Sequence, residues 1–108
     1  MSRSTSVSTG TVYQVHFGRY IEVLNRTVSE LDFSKFVKEE IVPEFESFSI
    51  QDGVGYWKGE PEPIKVLTIV SQSYEDSLPI HSIAEAYKKR FYQDAVLVNT
   101  FSCFPNLV

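Results

Sequence analysis

Four side chains in this sequence combine reactive chemistry with a strand-like setting: Arg19, Asp52, His16 and Trp57. Arg19 follows an alternating run in which Tyr13, Val15, Phe17 and Ile21 share one face, and Asp52 lies within a second run carrying Phe48, Ile50, Val54 and Tyr56. Period-2 alternation aims both charged residues toward the side that the apolar residues bury. Placed there, they can anchor the edge of the core as an ion pair or through hydrogen bonds. Alternatively, Arg19 can grip a carboxylate with its planar fork, and a small anion is then the expected ligand.

His16 shares the opposite face with Gln14 and Gly18, and Ser49, Gln51 and Trp57 of the second run can line the same surface. Together they make a polar patch with an aromatic wall, suited to a modest ligand site with Gln14 and Trp57 among its contacts. A lone strand histidine equally suits an interface. The other histidine, His81, falls on the solvent side of a helix, so no second imidazole is placed to complete a metal site, and no cofactor is expected. Used catalytically, His16 would act as acid or base while Arg19 orients an anion, as in a small isomerase or lyase.

Several chemistries are excluded. The chain has no nucleophile elbow, phosphate-binding glycine loop, HExxH motif or EF-hand loop. A single cysteine, Cys103, rules out an intrachain disulfide and a CxxC pair, and its apolar surroundings suit a small buried hydrophobe. The formal charge of −4 opposes broad attraction to phosphate backbones, so nucleic acid is not an expected partner. No run approaches the ~20 apolar residues of a bilayer span, and no secretory signal is seen, so no membrane partner and a cytoplasmic location are expected.

The elements that position these residues follow from periodicity. With 108 residues, 43% hydrophobic and 22% charged, the chain is too apolar for disorder and long enough for one core. Residues 1–11, rich in serine and threonine, read as a disordered tail, leaving 12–108 as one domain. A first strand spans Val12 to Ile21, and Asn25-Arg26-Thr27 reads as a turn despite matching a glycosylation pattern. Thr27 with Glu30 forms one candidate cap and Ser29 with Asp32 a competing one, opening a helix that carries Phe33, Phe36, Val37 and Ile41 and stops near Pro43. Glu39, Glu40, Glu44 and Glu46 make a solvated helix end.

A second strand covers Phe48 to Lys58, with Gly53 and Gly55 as a candidate bulge. The breakers from Gly59 to Pro63 suggest a hairpin turn longer than two residues before a third strand from Ile64 to Val70. A second helix from Asp76 or Ser77 places Ile80, Ile83, Ala84, Tyr87 and Phe91 on one stripe, with Lys88, Lys89 and Arg90 near its end, and Ala95 to Phe104 forms the last strand. The order β-α-β-β-α-β predicts an α+β, ferredoxin-like fold: a four-stranded antiparallel sheet in spatial order 4-1-3-2 with two helices on one face.

Three patterns carry a resemblance: Phe17-Gly18-Arg19, Asp52-x-x-Gly55-x-Trp57, and Tyr87-Lys88-x-Arg90-Phe91-x-Gln93-x-x-Val96. From about Val12 to Phe104 the chain resembles an uncharacterised bacterial family defined only as a domain of unknown function. That resemblance implies the domain boundaries and no reaction.

Two functions remain open. The first is a binding or interaction module that forms a homodimer through the uncovered sheet face. Ile64, Val66 and Val70 lie opposite Leu67 and Ile69, and Val96 and Val98 opposite Leu97 and Phe101, so both faces are apolar and the second asks for a partner. On this reading a charge at Leu67 breaks the dimer. The second is the cofactor-independent enzyme using His16 and Arg19. Fold alone does not choose between them.

Overall fold

Alternation in four long segments produces the sheet, and helical spacing in two others produces its cover. The computed structural model describes residues 9–72 and 76–108. In chain order these contain β1 (Gly10–Gly18), a short ribbon of β2 (Tyr20–Ile21) and β3 (Arg26–Thr27), α1 (Glu30–Phe36), β4 (Ser49–Trp57), β5 (Glu60–Ser71), α2 (Ser77–Phe91) and β6 (Leu97–Cys103). The main sheet is ordered β4-β5-β1-β6 with every neighbouring pair antiparallel. Numbering its four strands along the chain, that order is 4-1-3-2 read from the β6 edge.

Both helices pack on one face. Phe33, Phe36 and Ile41 from the first helical segment and Ile80, Ile83, Tyr87 and Phe91 from α2 close over Tyr13, Val15, Phe17, Leu67 and Ile69. Phe17 sits at the centre of an aromatic cluster, with ring centroids 4.5 Å from Tyr87, 5.7 Å from Phe33 and 5.8 Å from Phe36. Such offset and edge-on pairs add to the area they bury.

The local chemistry explains the helix boundaries. Of the two candidate caps Ser29 forms, its side chain accepting from the Asp32 amide at 3.0 Å, while Thr27 is held in β3. The helix continues past Phe36 as a single wide turn over Val37–Ile41, with the Val42 amide donating to the Val37 carbonyl at 2.9 Å. That i→i+5 bond rephases the chain by one residue, so Ile41 joins Phe36 on the buried side although the two are five apart.

Several expectations need correction. The first strand ends at Gly18, and Tyr20–Ile21 pair with Arg26–Thr27 across a left-handed Asn25. Gly10 and Thr11, expected in the tail, belong to β1, and the rest of that tail through residue 8 lies outside the described residues. The β4–β5 turn is two residues long: Trp57 pairs with Glu60, and Lys58 and Gly59 both have positive φ, at 53° and 81°. Two consecutive positive φ values are the signature of the tight hairpin turn whose twist matches its strands. The register from Ser49 to Trp57 is unbroken, so Gly53 and Gly55 make no bulge. Their missing side chains are filled by Ile64, whose Cγ1 and Cγ2 lie 3.3 and 3.1 Å from where methyl groups would stand.

Pro61 and Pro63 fit inside β5 because that stretch extends beyond β1. The Pro63 carbonyl accepts from the Arg19 amide at 3.0 Å, so its nitrogen turns away from β4 and no ladder bond to β4 is lost. Finally, Leu67 pairs with Val15 and is fully enclosed beneath the helices. A charge there attacks the core and leaves the open face untouched.

Candidate functional site

Arg19 and Asp52 belong to one charged chain, joined by Glu30, which the sequence reading placed only in a helix cap, and by Lys65, which it passed over. Arg19 lies just past β1, where its Nε and Nη2 donate to the Val28 carbonyl at 3.1 and 2.6 Å and its Nη1 pairs with Glu30 at 3.0 Å. Lys65 of β5 pairs with the same Glu30 at 2.7 Å and with Asp52 at 2.6 Å. The two cations are enclosed and the two carboxylates exposed, with side-chain exposures of 13% and 8% against 69% and 73%.

The hydrogen bond from Lys65, reinforced by its charge, lowers the Asp52 pKa below the ordinary carboxylate value. For Lys65, burial is the largest single influence and would lower its pKa, but Asp52 and Glu30 together outweigh burial and the net direction is up. Lys65 also lies 5.6 Å from the Phe33 ring centroid. This chain ties β1, α1, β5 and β4 together at the rim of the helix side. Arg19 is therefore committed to a carbonyl and a carboxylate, and an external anion would have to displace Glu30.

His16, Gln14 and Trp57 lie on the other side of the sheet. Across the four strands the open face reads in rows set by the register: Val70, Val12 and Phe101; then Thr68, Gln14 and Asn99; then Val66, His16 and Leu97. Ser49 and Gln51 extend the last two rows onto β4. An apolar row is thus separated from a second, mostly apolar row by a polar stripe. Leu97 and Phe101 are about half exposed, at 56% and 48%. The His16 Nε2 is shut off from water with no hydrogen-bond partner among the described residues. Trp57, 65% exposed, stands near the tip of the β4–β5 hairpin. His16 and Arg19 therefore do not converge on one reacting position.

A further cluster gathers at the end of β1. The Tyr87 hydroxyl donates to the Gly18 carbonyl at 2.7 Å, and burial, with a smaller push from the Glu62 charge and opposition from Arg19, raises its pKa. The Gln93 Nε2 donates to the Tyr20 carbonyl at 3.0 Å and the Phe91 carbonyl at 3.2 Å, locking the amide against the turn after α2. Glu62 of β5 leans over Gly18, and burial pushes its carboxyl pKa up. Sequence reading missed Glu62 because it sits in the run Glu60-Pro61-Glu62-Pro63, which looks like a turn. The signal available for Lys65 was plainer: a lysine in phase with Leu67 and Ile69 faces the core and needs a counter-charge.

His81 is exposed on α2, as its helical position predicts, with Nδ1 2.8 Å from the Ser77 carbonyl. Cys103 is half-buried at the end of β6. Among the described residues no group of His, Cys, Asp and Glu side chains gathers as a metal set, and no helix is long and apolar enough to cross a membrane.

The family model described as protein of unknown function (DUF3574) matches residues 12–104. No curated protein matches this chain. Among solved structures it is similar to a phage SAM lyase in its apo state, at 16% identity and a TM-score of 0.60, covering 100% of this chain and 98% of that one. The phage SAM lyase in complex with S-methyl-5'-thioadenosine is similar at 16% identity and a TM-score of 0.59, covering 95% of each chain. At that identity the likeness speaks to the fold.

Proposed function

We propose a function for a chain that belongs to DUF3574, a family of proteins of unknown function: it is a ferredoxin-like binding module that works as a homodimer, with the open sheet face as the joint. One observation carries this reading. On the face away from the helices Val12, Val66, Val70, Leu97 and Phe101 carry apolar side chains, of which Val70, Leu97 and Phe101 are 53%, 56% and 48% exposed. Contiguous apolar surface of this kind is costly in water and marks an interaction site. A second copy related by a two-fold axis offers the same face and is self-complementary by symmetry. The polar stripe of Thr68, Gln14 and Asn99 supports the idea, since it gives the joint hydrogen-bonding groups that fix its register.

Sedimentation at micromolar concentration should give twice the monomer mass, and Leu97→Asp should return the monomer with its circular dichroism unchanged. A monomeric native protein defeats the proposal.

The structural similarity to the phage SAM lyase favours a second reading, a cofactor-independent lyase. Its support is a fold shared along nearly the whole chain. The enclosed His16 Nε2 and the committed Arg19 guanidinium count against the residue assignment the sequence suggested for it. Calorimetric titration with S-methyl-5'-thioadenosine separates the readings: saturable binding supports the lyase class, and none removes it.

A further inference from the structure

Beyond Gly18 the β4–β5 hairpin runs on as a two-stranded arm, since β1 pairs with β5 only as far as Ile64. The two edges of that arm differ. Along β5, Pro61 and Pro63 turn their nitrogens outward and the Pro63 carbonyl is taken by the Arg19 amide, so this side offers little to a further strand. Along β4, from Ile50 to Trp57, there is no proline, no lysine and no bulge, the devices that keep an edge from pairing.

The direction of the free backbone groups follows from the same proline. Because the Pro63 carbonyl faces β1, Val54 and Pro63 are a pair without ladder bonds, and Val54 turns its N–H and C=O away from β5. By alternation Ile50, Asp52 and Tyr56 do the same. β4 ends the sheet, so these four residues present donors and acceptors in a row with no strand beside them among the described residues. Extended backbone is the complement of such a row. On the helix side Val54 and Tyr56 stand exposed along it, while Asp52 is drawn to Lys65 at 2.6 Å.

Charge selects the occupant. Between Glu44 and Glu62 lie five carboxylates and one lysine, so this stretch carries the whole formal charge of −4, and the remaining nine acidic and nine basic residues balance. A second copy of β4 would bring the same charge against it, whereas a cationic strand is complementary. β6, the other edge, carries no charged side chain. Residues of an added strand that bond to Val54 and Tyr56 project beside those side chains, and the alternate residues project toward Trp57 and, one strand further in, Glu60 and Glu62. The first set is therefore apolar and the second basic.

We propose that the free edge of β4, from Ile50 to Tyr56, takes an extended peptide of alternating apolar and basic residues as an added strand. The proposal rests on the reading of the chain as a binding module and names its partner. A monomer that takes the peptide defeats the joint alone, and a dimer that does not take it defeats the edge alone.

The test titrates the 15N-labelled native protein with a capped peptide of nine residues, the length of β4, in which valine alternates with lysine. Saturable shifts are expected along β4, with amide exchange at Ile50, Asp52, Val54 and Tyr56 slowed at least tenfold. N-methylation of the valines, which removes the donors facing β4, should abolish binding, and N-methylation of the lysines should not. Glutamate in place of lysine should abolish it too. Val54→Pro removes an outward donor and no bond to β5, so it should weaken binding at least tenfold with the spectrum still dispersed. If that variant fails to fold, the methylated peptides decide on the native protein. No saturable shift, equal binding of the two methylated peptides or of the glutamate peptide, undiminished binding by folded Val54→Pro, or slow exchange at the four amides before peptide is added overturns the proposal.

Discussion

The two faces of the sheet are built from similar residues and have opposite fates. On the helix side, Val15, Phe17, Leu67 and Ile69 each meet a second layer, the aromatic rings interlock, and the one lysine in the row is paired twice. On the other side Val66, Val70, Leu97 and Phe101 repeat the same apolar alternation with no described layer above them. Hydrophobic alternation alone therefore does not say what is buried within one chain. That depends on which face the short connections deliver the helices to, and the remaining face keeps Val70, Leu97 and Phe101 about half exposed.

This contrast can be broken or sharpened by substitution. The largest effect is expected beneath the helices: Phe36→Ala removes a ring in contact with Phe17, Tyr87 and Phe91 and should cost about 3–5 kcal/mol, read as a lower urea midpoint. At the rim of the same side, Arg19→Gln withdraws both hydrogen bonds from the Val28 carbonyl and should cost about 1–3 kcal/mol, read as a fall in Tm. A stability change as small in either variant as in an open-face variant would erase the distinction between the faces.

A smaller effect is expected from Asp52 through pH. Its pKa is lower folded than unfolded, so its contribution is present above the unfolded value, near 3.9, and is lost as pH falls through the folded one. Asp52→Asn should flatten that acid limb in a Tm-against-pH series, and salt should blunt the difference because the carboxylate is exposed. The raised pKa of Lys65 acts at the other end, with stability present below about pH 10.4 and lost as pH rises through the folded value. The smallest effect on the fold is expected from Leu97→Asp, within about 0.5 kcal/mol for the monomer. Its consequence should appear in sedimentation instead.

Much of the fold was legible because its signals are periodic. Tyr13, Val15 and Phe17 at spacing two, and Ile80, Ile83, Tyr87 and Phe91 at helical spacing, lead directly to the sheet and its cover. The two-residue turn was hidden because Lys58 is not a residue that favours positive φ, while the prolines that follow imitate a loop. They are harmless only because β5 overhangs β1 there, which no local pattern reveals. The site was legible in part. Arg19 and Asp52 were visible as charges in apolar runs, but their connection depends on Glu30, brought from 35 residues away to meet Lys65. Glu62 was invisible because the residue it leans over, Gly18, lies on another strand and is distant in sequence.

The two edges of the sheet also differ in how the chain must search for them. Trp57 meets Glu60 across the two-residue turn, whereas Gly10 meets Cys103 from nearly the opposite end of the polypeptide. Loop-closure entropy makes the first pairing fast and the second slow, so the β4–β5 hairpin is the natural nucleus and the β1–β6 ladder the late step. Gly59, with φ of 81°, then has a kinetic role beyond its turn. Gly59→Ala should mainly slow folding, whereas Val98→Ala in β6 should mainly accelerate unfolding. The last edge to close is also the first to open, so transient fraying should expose β6 while the hairpin stays paired.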